Sequence, residues 1–274
     1  MSVQDWFTNN KDIEGVLLDI SGVLYNSDSS GGKAIPGSVQ SVKRLKESKF
    51  KVRFCTNESQ HIRAHLVTRL QKLGFSIEVN EIFSPAPAAC QLLQDRGLTP
   101  HFLVDDNILP EFAVFNQPTN KPKDCVVIGD AIDKFTYRSL NDAFRVLIKS
   151  PQPQLISLGI GKYYKEADDL LLDVGPFTKA LEYAASCTAE VVGKPSPTFF
   201  QSALKDMGVH PSKAIMVGDD IVNDIGGAQK CGMRGIQVKT GKFRPSDENH
   251  PEVTANCYVD NLAEAVDHLL STTS

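Results

Sequence analysis

The stretch Leu17-Leu18-Asp19-Ile20-Ser21-Gly22-Val23-Leu24 ("LLDISGVL", residues 17–24) sets a carboxylate at the end of an apolar run that begins at Gly15. A continuous apolar run closed by turn-forming residues is the signature of a strand covered on both faces. Such strands belong to open parallel sheets, whose ligands sit beyond the carboxyl ends of the strands. Asp19 is therefore the first residue to ask about, and Ser21, two places on, is the second.

Working outward, the same form recurs. "FKVRFC" runs into Thr56 and Asn57, "KAIMVG" into Asp219 and Asp220, and the short "EVVG" into Lys194. Helix-length amphipathic stretches separate these runs, among them "GSVQSVKRLKES", "HIRAHLVTRLQKLG" and "SPTFFQSALKDMG". The alternation predicts an α/β fold with a doubly wound, mostly parallel sheet, Rossmann-like in plan. The middle of the chain repeats the pattern in miniature, in "AACQLLQDRG", "HFLV", "CVVIG", "YRSLNDAFRVLI", "QLISLG" and "FTKALEYAA". This predicts a second α/β module at 85–185, inserted into a discontinuous core of 1–84 and 186–274. One continuous sheet is the alternative.

Composition narrows the class. Apolar residues make up 41% and charged residues 23% of 274, as in an ordinary globular protein. The net charge of −4 comes with no basic stripe, so nucleic acid is not an expected partner. No apolar run is long enough to cross a bilayer, and no membrane role is expected. The opening "MSVQDWFTNNKD" lacks the basic start and apolar core of a secretion signal, so the expected location is the cytoplasm, with the nucleus also open. The six cysteines are scattered, without metal-ligand spacing, and are expected to be reduced.

Taken singly, the strand-end residues have ordinary readings. An aspartate after a strand is commonly a turn former or cap, and Thr56 and Asn57 can cap the helix that follows. Lys194 can be a solvated lysine, and Asp219 with Asp220 can simply begin a helix. Together they say more. Carboxylates delivered from two strand ends repel unless a cation lies between them, so Asp19 and Asp219 point to a hard divalent ion, Mg²⁺ first. A lysine, a hydroxyl and an amide nearby would complete a cradle for phosphate. One carboxylate oxygen would then face the phosphorus as a nucleophile. Competing signatures fail: no strand runs into a dinucleotide fingerprint, and neither "GIGK" nor "KTGKF" has P-loop spacing. Asp105 and Asp106 in "HFLVDD" read as a turn.

In order and spacing, "LLDISGVLY", "FCTN", the lysine of "VVGKPSP" and "GDDIVND" resemble the four motifs of the haloacid dehalogenase-like hydrolase superfamily. The insertion is similar to the C2-type cap of the branch that includes para-nitrophenyl phosphatases. A closer resemblance, to members acting on phosphohistidine, phospholysine and inorganic pyrophosphate, lies in "KVRFCTNESQ", "SPAPAACQLL", "AEVVGKPSP" and "KTGKFRPSDE". It implies that Asp19 forms an aspartyl-phosphate and binds Mg²⁺, with Asp219 as the second metal carboxylate and Ser21 lending its backbone carbonyl. It implies substrate contacts from Asp19, Ile20, Ser21, Thr56, Asn57 and Lys194, the last neutralising phosphoryl charge. Asp220 and Asp224 would support the metal from behind, and a homodimer is the assembly implied.

The departure from the superfamily pattern is Ser21. Most phosphatases of this group carry an aspartate there as general acid and base, which is worth about a hundredfold to ten-thousandfold. An alkoxide leaving group needs that acid. A phosphoramidate nitrogen can take its proton from solvent, and the group expelled from pyrophosphate is a metal-stabilised phosphate. The expected activity is thus hydrolysis of P–N bonds, in phosphohistidine, phospholysine and imidodiphosphate, and of pyrophosphate. A phosphomonoesterase for a small metabolite and a phosphate-sensing scaffold are the alternatives.

Overall fold

The computed structural model describes residues 2–27, 31–115, 120–166 and 169–271. The chain divides into two compact units, one of Met1–Thr56, Val67–Phe83 and Pro195–Ser274, the other of Asn57–Leu66 and Ser84–Lys194.

The first unit is built on a six-stranded sheet whose order is Cys257–Val259, Arg234–Val238, Ala214–Gly218, Gly15–Asp19, Lys51–Cys55, Ile82–Phe83. Every neighbouring pair is parallel. The strands at its centre are apolar throughout because both faces are covered. Val16, Leu17 and Leu18 are fully buried, as are Ala214 to Val217. Leu17 and Met216 pack against Phe199, Phe200, Ala203 and Leu204 of the helix Pro197–Met207. That helix opens on proline and closes on Gly208 at φ +58°, a left-handed position that glycine takes without strain.

The strand order decides where chemistry can occur. From Gly15–Asp19 the chain moves one way across the sheet, to Lys51–Cys55 and Ile82–Phe83, and on return it pairs Ala214–Gly218 to the opposite side of the first strand. The direction of winding thus reverses between Gly15–Asp19 and Ala214–Gly218. In doubly wound sheets this is the crevice where ligands bind. Asp19 ends one of these strands and Asp219 follows the other.

The second unit has its own four-stranded parallel sheet, in the order Glu190–Val191, Gln154–Ser157, Cys125–Ile128, Pro100–Leu103. Ala86, Ala89, Val127 and Ile156 belong to one apolar cluster of this unit, and Val126, Ile128, Ala143 and Leu181 to another. Its limits differ from those read in the sequence. Glu190–Val191, taken there for a strand of the first module, pairs with Gln154–Ser157 through Val191↔Ser157 and draws the unit out to Lys194. Two residues of strand are too short for an apolar pattern to say which sheet they join.

Candidate active site

In the first unit three carboxylates converge. Asp19, Asp219 and Asp224 are buried, at 7%, 2% and 1% exposure, and one oxygen of each lies within 4.8 Å of the others. Asp19 and Asp219 come from the two strands at the reversal. Asp224 arrives differently, from a π-helical segment, Ile221–Gly226, that starts directly after the Asp219–Asp220 pair. The wider turn is a feature found mostly at functional sites. It brings Asp224 back beneath the strand end, where its Oδ2 also accepts the Asp220 N–H at 3.1 Å.

Asp220 does not join the cluster. Its Oδ1 accepts the N–H groups of Val222 and Asn223 at 3.1 and 2.9 Å, and its Oδ2 accepts the Asn223 amide at 2.8 Å. It is the cap of the π segment, the ordinary role open to an aspartate there. Ser21 is exposed in the turn after Asp19, and Ile20 is fully buried. Thr56 is buried one residue past Cys55, the register partner of Asp19.

Three residues absent from the sequence reading hold Asp219. The Lys242 N–H donates to its Oδ2 at 2.7 Å. Gly22 and Gly241 sit at φ +84° and +60°, and a Cβ on either would lie 2.0 Å from the same oxygen. Only glycine lets both backbones close on the carboxylate. The Thr240 hydroxyl ties the two loops together by donating to the Gly22 carbonyl. Lys242 Nζ stands 3.7 Å from Asp220 Oδ2. The signal was the "TGK" of "KTGKF", which fails as a P-loop but here serves as a clasp on an acid.

The electrostatics follow from this crowding. Burial first, and then the charges of Asp19 and Asp224, hold the Asp219 carboxyl well above the usual carboxylate range, against the opposing pull of Lys242. A buried cluster of three carboxylates, offering oxygen donors alone, makes a site suited to a small hard cation.

In the second unit, Lys194 is 3% exposed, and its backbone is held by the Asn57 side chain. Asn57 Nδ2 donates to the Lys194 carbonyl and Asn57 Oδ1 accepts the Lys194 N–H, both at 2.8 Å. Asp105 and Asp106, read in the sequence as a turn, stand at the start of a 3-10 segment that begins at Asp106, with Asp105 Oδ1 accepting the Asn107 N–H at 2.8 Å.

Comparison with known proteins gives a consistent picture. A family model described as haloacid dehalogenase-like hydrolase matches residues 16–130, and a second, HAD-hydrolase-like, matches 191–265. The chain is 60% identical over 265 residues to the human phospholysine phosphohistidine inorganic pyrophosphate phosphatase, covering 97% of each. It is 43% identical over 258 residues to the bovine haloacid dehalogenase-like hydrolase domain-containing protein 2, covering 94% of this chain and 96% of that one. Among solved structures, the 4-nitrophenylphosphatase of Thermotoga maritima superposes with a TM-score of 0.85 at 22% identity, covering 94% of this chain and 98% of its own.

Proposed function

The chain belongs to the haloacid dehalogenase-like hydrolase family, and from that premise we propose that it is a Mg²⁺-dependent phosphohydrolase of P–N bonds and of inorganic pyrophosphate. The substrates are phosphohistidine and phospholysine side chains, imidodiphosphate and pyrophosphate. The observation that carries this reading is the buried convergence of Asp19, Asp219 and Asp224 at the point where the sheet reverses its winding. The name of the human relative supports the substrate class.

Asp19, Asp219 and Asp224 would hold the cation, with the Ser21 carbonyl as a further oxygen donor. When bound, Mg²⁺ neutralises these acids and draws charge from the phosphoryl oxygens. The protein's own groups perform the transfer. An Asp19 carboxylate oxygen attacks phosphorus, the P–N bond breaks, and the departing nitrogen takes a proton from solvent. Water then attacks the aspartyl-phosphate at phosphorus, releasing orthophosphate and restoring the carboxylate. The Thr56 hydroxyl is proposed to hold the transferring group, and Lys194 to neutralise its charge. The clasp of Gly22, Gly241 and Lys242 keeps Asp219 from turning away.

Ser21 sets the leaving-group preference, because it cannot donate a proton as an aspartic acid would. Phosphate release from imidodiphosphate with Mg²⁺, compared with an alkyl phosphate, tests the reading. Faster turnover of imidodiphosphate, abolished by chelation and in Asp19→Asn, is the expected result. A preference for the ester would overturn the substrate class.

A further inference from the structure

The resemblance that makes Asn57 a phosphate contact leaves unexplained what its side chain does. The structure spends one donor and the acceptor of that carboxamide on the backbone of one residue 137 positions away. The two bonds, each 2.8 Å, close a ring of the kind two strands make, with a side chain standing in for one of them. Asn57 and Lys194 are also the first and last residues of the second unit.

The approach is built for this contact. A Cβ on Gly193 would lie 2.7 Å from Asn57 Oδ1 and 2.4 Å from the Leu158 carbonyl oxygen. Glycine is therefore what lets the backbone before Lys194 come within reach of the carboxamide. The chemistry of asparagine is equally specific. Aspartate would keep the acceptor but set a second oxygen against the Lys194 carbonyl, and glutamine would carry the amide a methylene too far.

We propose that the Asn57 side chain is a positioning residue that acts through Lys194, fixing the backbone that presents the ammonium, and is not itself a ligand of the phosphoryl group. The proposal rests on the phosphohydrolase reading. A charge that neutralises a transferring phosphoryl group works only at its correct place, and a displacement of about 1 Å can cost about a hundredfold. Asn57→Ala should therefore lower kcat by about ten- to a hundredfold while KM for imidodiphosphate changes by less than about threefold.

The deciding experiment is a double-mutant cycle on imidodiphosphate hydrolysis with saturating Mg²⁺, using Asn57→Ala, Lys194→Ala and the pair in the full chain. If Asn57 acts through Lys194, the pair turns over within about threefold of Lys194→Ala alone. If the carboxamide contacts substrate independently, the two losses multiply, which overturns the proposal and leaves the phosphohydrolase reading standing. Parent protein that releases no phosphate overturns that reading and the proposal with it. Should Asn57→Ala not fold, the isosteric Asn57→Asp replaces it in the cycle with the same criterion. Amide exchange at Lys194 supplies a readout besides activity: in Asn57→Ala, which removes the acceptor, it should quicken by about tenfold or more, and unchanged protection would contradict the clamp.

Discussion

Replacing Asp219 by asparagine should make the metal-free protein more stable and the Mg²⁺ response weaker. Two charges at the outer separation of 4.8 Å repel by about 3.5 kcal/mol at an effective dielectric constant of about 20. Asp219 faces two such neighbours, Asp19 and Asp224, so full ionisation would cost about 7 kcal/mol. Keeping the proton limits this. Relative to the ordinary value of 3.8, retention costs ~1.36 kcal/mol for each pH unit, which caps the penalty at ~4 kcal/mol at pH 7. Lys242 offsets part of the remainder, and about 2 kcal/mol is a fair lower figure for what asparagine relieves. The amide oxygen can still accept the Lys242 N–H. For a chain of this size the relief corresponds to a rise of about 4 °C or more in apo Tm. The pH dependence has a definite sign. A raised carboxyl means that the folded state binds a proton the unfolded chain has already lost, so its contribution to stability is intact below 3.8 and is lost as pH rises toward the folded-state value. The gain from Asp219→Asn should accordingly grow from acid to neutral pH. Thermal unfolding in chelator and in excess Mg²⁺, across that range, measures both effects. At a hundred times its dissociation constant the ion stabilises the parent by ~2.7 kcal/mol, and the variant should show a much smaller shift. A variant less stable than the parent in chelator, with an equal Mg²⁺ shift, would refute the reasoning.

Ser21→Asp should raise kcat/KM for an alkyl phosphate relative to imidodiphosphate, by up to about a hundredfold if the new carboxyl is well placed; an unmoved ratio would place selectivity elsewhere. Gly241→Ala should weaken Mg²⁺ binding by about tenfold or more, measured by calorimetry, because its Cβ would collide with Asp219 Oδ2 and the Gly22 backbone. Burial pushes the thiols of Cys90 and Cys257 up to about 11 and that of Cys125 up to about 12. In the folded protein they should therefore alkylate far more slowly at neutral pH than a free cysteine, and accelerate only as pH rises; free-cysteine rates at neutral pH would contradict their burial.

The convergence of Asp19 and Asp219 was legible because each stands at the carboxyl end of a run of strand formers, a local pattern with a global meaning in parallel sheets. The convergence of Asp224 was half legible. The family resemblance implied support from behind, whereas the π-helical turn carries its oxygen into the same cluster, and no simple sequence period announces such a turn. Asp220 illustrates the opposite case, where the cap reading of a strand-end aspartate is what the structure shows. Gly22, Gly241 and Lys242 were out of reach because their work is a close approach of distant loops to one oxygen. A positive φ or a missing Cβ cannot be seen in sequence unless the partner is known. Asn57 fell between these cases: it was visible as a polar strand-end residue, but its partner stands 137 positions on.

The central claim is that Asp19 carries the phosphoryl group. Acid quenching during turnover of imidodiphosphate with Mg²⁺, followed by borohydride reduction and peptide mass spectrometry, tests it most directly, since reduction of an aspartyl-phosphate leaves homoserine in its place. The account expects homoserine at position 19 in quenched, substrate-fed samples and its absence when substrate is withheld. Sustained turnover with position 19 unmodified, or with the modification at another carboxylate, would contradict it.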